Sequence, residues 1–114
     1  MLEKFIKKQS PGWPALTIRK NGSLCINHRA IEQFKLEGMR FVSLCHDQKD
    51  RLLGIKPEGD ESDPSVFRIS REKARTFTIS CQAFLKHFEI PYRESSRVVK
   101  ATWDGKAEMI LIKL

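Results

Sequence analysis

Six side chains could bind a metal or serve as nucleophile and base: Cys25, His28, Cys45, His46, Cys81 and His87. Their spacing argues against both chemistries. No CxxC or HxxxH pair occurs. Adjacent Cys45 and His46 would point to opposite faces of a strand, and Cys25 and His28 straddle a strand-to-helix junction. Cys81 and His87 lie six apart on what reads as a short helix, which puts them on different faces, so a thiolate–imidazole pair is not expected. There is no Walker loop, no GxGxxG and no paired-carboxylate signature. The chain therefore reads as non-enzymatic, without catalytic residues, metal or cofactor.

Basic side chains are the other chemistry on offer. Across 114 residues, 21 Lys and Arg stand against 14 Asp and Glu, a net charge of +7 that favours polyanionic partners. Apolar residues make up 40%, enough for one small folded domain and too many for a disordered chain. No apolar run approaches the roughly 20 residues of a membrane span, and charges interrupt the first eight residues where a signal peptide would need an unbroken apolar stretch. Three cysteines without close pairing suit buried thiols in a reducing compartment. A cytoplasmic protein with no membrane partner is expected.

The charge is divided along the chain. Residues 1–57 carry +6, residues 58–65 carry −4 with no base, and residues 66–114 carry +5. The middle piece, Glu58-Gly59-Asp60-Glu61-Ser62-Asp63-Pro64-Ser65, reads as a solvated linker; in the alternative reading it folds back over a basic face and competes with a ligand.

The flanking segments resemble each other. Leu24–Ile31 lies over Phe77–Phe84 at an offset of 53, Phe34-Lys35-Leu36 over Phe88-Glu89-Ile90 at 54, and Phe41-Val42, Asp47 and Gly54-Ile55-Lys56 over Val98-Val99, Asp104 and Leu111-Ile112-Lys113 at 57. Each copy reads as hairpin, short helix, hairpin. In the first, Ala15–Lys20 and Ser23–Ile26 flank a two-residue Asn21-Gly22 turn, Asn27 caps a helix bearing Ala30, Ile31 and Phe34, and Met39–Cys45 pairs with Leu52–Lys56. In the second, Val66–Ser70 and Arg75–Ile79 form the first hairpin and Ser80 is the cap. Arg97–Trp103 and Ala107–Lys113 form the last hairpin, around Asp104-Gly105. Phe34, Phe41, Phe77, Phe84, Phe88 and Trp103 are expected in the core, and Trp13 packs from an N-terminal arm, residues 1–14. A unit of about 45 residues buries too little to be stable alone, so the two must pair and close each other's strand edges.

Thr17-Ile18-Arg19-Lys20-Asn21-Gly22-Ser23-Leu24-Cys25-Ile26-Asn27, followed by Arg29-Ala30-Ile31, Phe34, Leu36 and Gly38, resembles the SpoVT/AbrB swapped-hairpin pattern. Residues 15–57 resemble one copy and residues 66–114 a divergent second. Family members commonly have proline where Asn27 stands and an acidic residue where Met39 stands, and the second copy lacks the turn glycine. The resemblance implies an α+β, β-rich fold in which two ββαββ swapped-hairpin-like units form one small barrel-like pseudo-dimer within a single chain. It also implies double-stranded DNA as partner and a role in transcription regulation. Carried to matching positions, Arg19, Lys20 and Arg29 are the first copy's contacts, and Arg71, Lys73 and Arg75 lie in the second copy's hairpin, with Gln82 where the helix arginine would be. Arginine can read guanine edges in a bidentate fashion, and both side-chain types attract phosphate with strong salt dependence. The alternative is a protein-interaction module of the same fold that has lost DNA binding. Further homodimerisation through remaining edges is left open.

Overall fold

A closed ring of eight antiparallel strands, in the order β1-β2-β6-β5-β3-β4-β8-β7, makes the body of the protein. In chain order the elements are β1 (Ala15–Ile18), β2 (Ser23–Ile26), α1 (His28–Gln33), β3 (Phe41–Asp47) and β4 (Leu52–Glu58), then β5 (Phe67–Arg71), β6 (Phe77–Ser80), α2 (Gln82–His87), β7 (Arg97–Asp104) and β8 (Met109–Lys113). The computed structural model describes residues 2–3, 12–71 and 75–114. Among these, no helix is long and apolar enough to cross a membrane.

The strands exist because the sequence alternates. In β8, Ile110 and Ile112 are fully buried while the residues between them are not, and the same two-residue period places Leu16 and Ile18, Leu53 and Ile55, and Val42 inside. Leu24, Ile26, Ile79, Ala101 and Leu85 join them in one continuous core. Closure leaves no strand edge to template association. Each hairpin finds both of its outer neighbours in the other half of the chain: β1 pairs with β7, β2 with β6, β3 with β5 and β4 with β8. Neither half can complete its hydrogen bonding without the other.

The register is as ordered as the topology. In the β2–β6 ladder Leu24 faces Ile79, Cys25 faces Thr78 and Ile26 faces Phe77, which is self-consistent at the offset of 53. In β4–β8 Leu53 faces Ile112, Gly54 faces Leu111 and Ile55 faces Ile110, self-consistent at 57. Among the described residues, those with positive φ fall into three pairs at offsets of 53, 54 and 57: Gly22 (85°) with Arg75 (58°), Lys35 (57°) with Glu89 (55°), and Arg51 (55°) with Glu108 (52°). The middle pair ends the helices. Leu36 N–H bonds to Ile31 C=O and Ile90 N–H to Leu85 C=O, each bridging a left-handed residue in a Schellman motif closed by buried apolar side chains.

Several local expectations are corrected. The β1–β2 loop has three residues, Lys20-Asn21-Gly22: Gly22 N–H bonds to Arg19 C=O, Arg19 N–H bonds to Ser23 C=O, and only Gly22 is left-handed. This is a type I turn closed by a glycine bulge, not a two-residue turn. The last hairpin turns over Gly105–Glu108, with Glu108 left-handed, while Asp104 Oδ1 accepts from the Lys106 and Ala107 amides. β4 runs on past Lys56 because Pro57 lies where β3 is its only neighbour.

The helix starts also differ from expectation. Helices 28–33 and 82–87 stand at an offset of 54, so the extra residue enters before α2, at Cys81, and not after it. Cys81 replaces Ser80 as N-cap and its side chain makes no capping bond. The position equivalent to Arg29 is therefore Ala83, and Gln82 matches His28. Finally, Phe88 and Trp103 are over a third exposed at the surface, not core residues. Phe34 packs on Trp103 at 5.9 Å between centroids, and Phe88 on His46 at 4.7 Å.

Candidate nucleic-acid interface

The basic residues are placed by the β2–β6 ladder. The loop carrying Arg19 and Lys20 precedes Ser23, which faces Ser80 at the end of the ladder where α2 begins. Contact there is close: Cys81 N–H donates to Gly22 C=O at 3.1 Å, and a Cβ on Gly22 would sit 2.8 Å from that of Gln82. Arg75 leads into Phe77, which faces Ile26 at the opposite end of the ladder, where α1 begins and Arg29 stands exposed. Arg71, paired with Phe77, belongs to this end too. Three residue steps of strand separate the two ends, about 10 Å. The structure thus brings Arg29, Arg71 and Arg75 to one end and Arg19 and Lys20 to the other. Lys73 lies outside the described residues.

Asn27 fixes the α1 end. Its Oδ1 accepts from Ala30 N–H at 2.9 Å and from Ala15 N–H at 3.0 Å, while Nδ2 donates to Trp13 C=O at 3.0 Å. One buried amide caps the helix and holds the Trp13 carbonyl against the barrel. Trp13 itself is held through its carbonyl and is 43% exposed, so the expected packing of its indole is only partial. On the exposed face of α1, His28 Nε2 and Glu32 Oε2 approach to 3.1 Å, with Arg29 next in sequence to His28.

Arg71 is committed locally. Its Nη2 donates to Glu37 C=O at 2.8 Å and Met39 C=O at 3.1 Å, and its guanidinium lies 4.6 Å from the Phe77 ring centroid. It braces the segment between α1 and β3. Two arginines that the sequence did not single out gather beside it: Arg40 and Arg68 line, with Arg71, Phe41, Ile69 and Glu61, a concavity of about 450 Å³. No pattern in the sequence announces them, since β3 and β5 meet only through the barrel.

The acidic segment is folded and not a loose tether. Asp60 Oδ1 accepts from Ser62 N–H and Oγ–H, and Asp63 Oδ1 from Ser65 N–H and Oγ–H, making two consecutive turns. The Ser62 hydroxyl and amide hold Asp60 below the ordinary aspartate range, and the Ser65 amide and hydroxyl do so for Asp63. Cys25 and Cys81 are buried and Cys45 is exposed; burial pushes the Cys81 thiol up to about 12.

No family model, curated relative or solved structure matches this chain. The chemistry on offer is that of its own surface. That surface presents guanidinium and ammonium groups at strand loops and helix starts, suited to phosphate attraction and base-edge contact.

Proposed function

We propose that this chain is a non-enzymatic double-stranded-DNA-binding module of the SpoVT/AbrB type, a tandem copy that forms its own swapped-hairpin pseudo-dimer. The observation that carries the reading is the two-fold relation of the halves, with ladders self-consistent at 53 and 57 and left-handed residues paired across them. Such a relation repeats a basic hairpin loop at each end of the β2–β6 ladder, as a duplex with two nearby phosphate tracks requires. Arg19, Lys20, Arg29 and Arg75 are the docking groups. Arg71 contributes positive potential while serving the fold, and Lys73 stands in the same hairpin by sequence. Regulation of transcription follows from the resemblance to that family, and a cytoplasmic setting from three cysteines without close pairing.

A protein-interaction role is the second reading. It is favoured by the bracing of Arg71 and by the half-exposed Trp13. Titrating a labelled duplex over a salt series separates the two. A DNA module loses affinity linearly on a log–log plot, with a slope near −0.9 per phosphate engaged; an interaction module shows a shallow slope shared by any polyanion.

A further inference from the structure

The two junctions between the halves differ in register, and the difference builds a site. β1 and β7 pair over four residues, with Leu16 facing Val99. The equivalent residues of the other junction, Ile69 and Val42, do not face each other: Ile69 N–H bonds to Arg40 C=O at 2.9 Å, and the ladder holds only Phe41–Arg68 and Val42–Phe67. β5 has slipped by two residues along β3, the smallest slip that keeps Ile69 facing the core.

At this slipped junction Arg40, Arg68 and Arg71 line the concavity, and Glu61 of the acidic segment is its one carboxylate among the described residues. Arg68 lies over the Phe41 ring at 5.8 Å and Arg71 is fixed by the Glu37 and Met39 carbonyls, so two of the three cations are oriented in advance. Glu61 makes no ion pair within 4 Å with any of the three among the described residues. Two facts argue against mere solubilisation. A closed barrel has no edge for these charges to protect. And the positions equivalent to Arg68 and Arg71 are Ala15 and Ile18, both buried, so only one junction carries the trio.

We infer that this concavity is a phosphate-binding site held in competition with Glu61. On the DNA reading above, on which its ligand rests, the phosphate comes from the duplex backbone. Guanidinium groups suit a phosphate's several acceptor oxygens, and among the described residues three of them against one carboxylate leave net positive charge for the ligand to neutralise. The acidic segment then acts as an internal mimic that the duplex displaces.

The test uses the full chain and two readouts. Arg40→Gln combined with Arg68→Gln removes two exposed cations and spares Arg71, whose loss would free two carbonyls. In duplex titrations this variant is expected to flatten the log K against log salt slope by about 2 and to weaken binding roughly ten- to hundred-fold at 0.1 M salt. Glu61→Gln is expected to tighten binding roughly two- to five-fold, the size of an exposed charge interaction. Pyrophosphate, followed by amide shifts at Phe41 and Ile69, reports the site without DNA. If both readouts ignore the double variant the inference fails, and a slope still flattened by Lys20→Gln leaves the DNA reading standing without it. If wild type shows no salt-dependent duplex association, the DNA reading fails. Pyrophosphate shifts lost in the double variant then uphold a phosphate site for a small ligand, and absent shifts overturn it.

Discussion

The two halves share an order of elements and their left-handed positions while their side chains differ. In the first, Asn27 caps α1 with a buried amide that also holds the Trp13 carbonyl, and Gly22 takes the left-handed position of the hairpin loop. In the second, Cys81 stands at the helix start without a capping bond, and Arg75 takes the left-handed position at φ 58°. That shared frame is thus set by closure of the barrel, which holds even unfavourable residues in place, while local stability and surface chemistry are free to diverge. The arginine trio at the slipped junction is the clearest product of that divergence.

The largest effect expected from breaking the comparison is at Asn27. Asn27→Ala leaves the Ala30 and Ala15 amides and the Trp13 carbonyl without their partner and should cost roughly 2–4 kcal/mol in urea unfolding. Removing the second helix's uncapped side chain by Cys81→Ala should cost only about 1 kcal/mol, through lost packing. Equal losses would mean that the cap is not what separates the two helices.

Next come the loop positions. Gly22→Ala meets both a positive φ and the Gln82 side chain at 2.8 and 2.9 Å, and should cost about 1–3 kcal/mol. Arg75→Gly should do the reverse, gaining about 0.5–1 kcal/mol, while removing one of the proposed docking groups. Thermal unfolding of the two variants gives shifts of opposite sign on this account.

Smaller effects sharpen the picture at the thiols and the acidic turns. Cys45 should react with a thiol reagent at pH 8 in the folded protein, whereas Cys81, buried with its pKa raised to about 12, should react only on unfolding. Asp60 and Asp63 have folded pKa values below the ordinary 3.8. Their ordering contribution is therefore complete above that value and is lost as pH falls through the lowered ones. Amide exchange at Ser62 and Ser65 should lose its protection only in that acid range.

Element types were legible in the sequence because alternation and helical spacing are local. Ile110 and Ile112 announced a half-buried strand, and Ala30, Ile31 and Phe34 a helix face. The one-residue insertion at Cys81 was misplaced because Ser80 looks like a cap, although its backbone continues the β6 ladder opposite Ser23. Gly105 looked like a turn glycine, yet the left-handed residue is Glu108, a strain the barrel imposes and no propensity signals. Arg40 and Arg68 could not be read at all. They lie 28 residues apart in the chain and meet through a slipped ladder that only closure of the ring determines.

Most direct for the central claim is the salt slope of duplex binding measured on one variant from each end of the β2–β6 ladder, Lys20→Gln in the first half's loop and Arg75→Gln in the second's. If both halves face one duplex, each substitution flattens the slope by about 1 and the two together by about 2. A slope that neither substitution changes, or that only one half controls, contradicts the two-fold DNA interface.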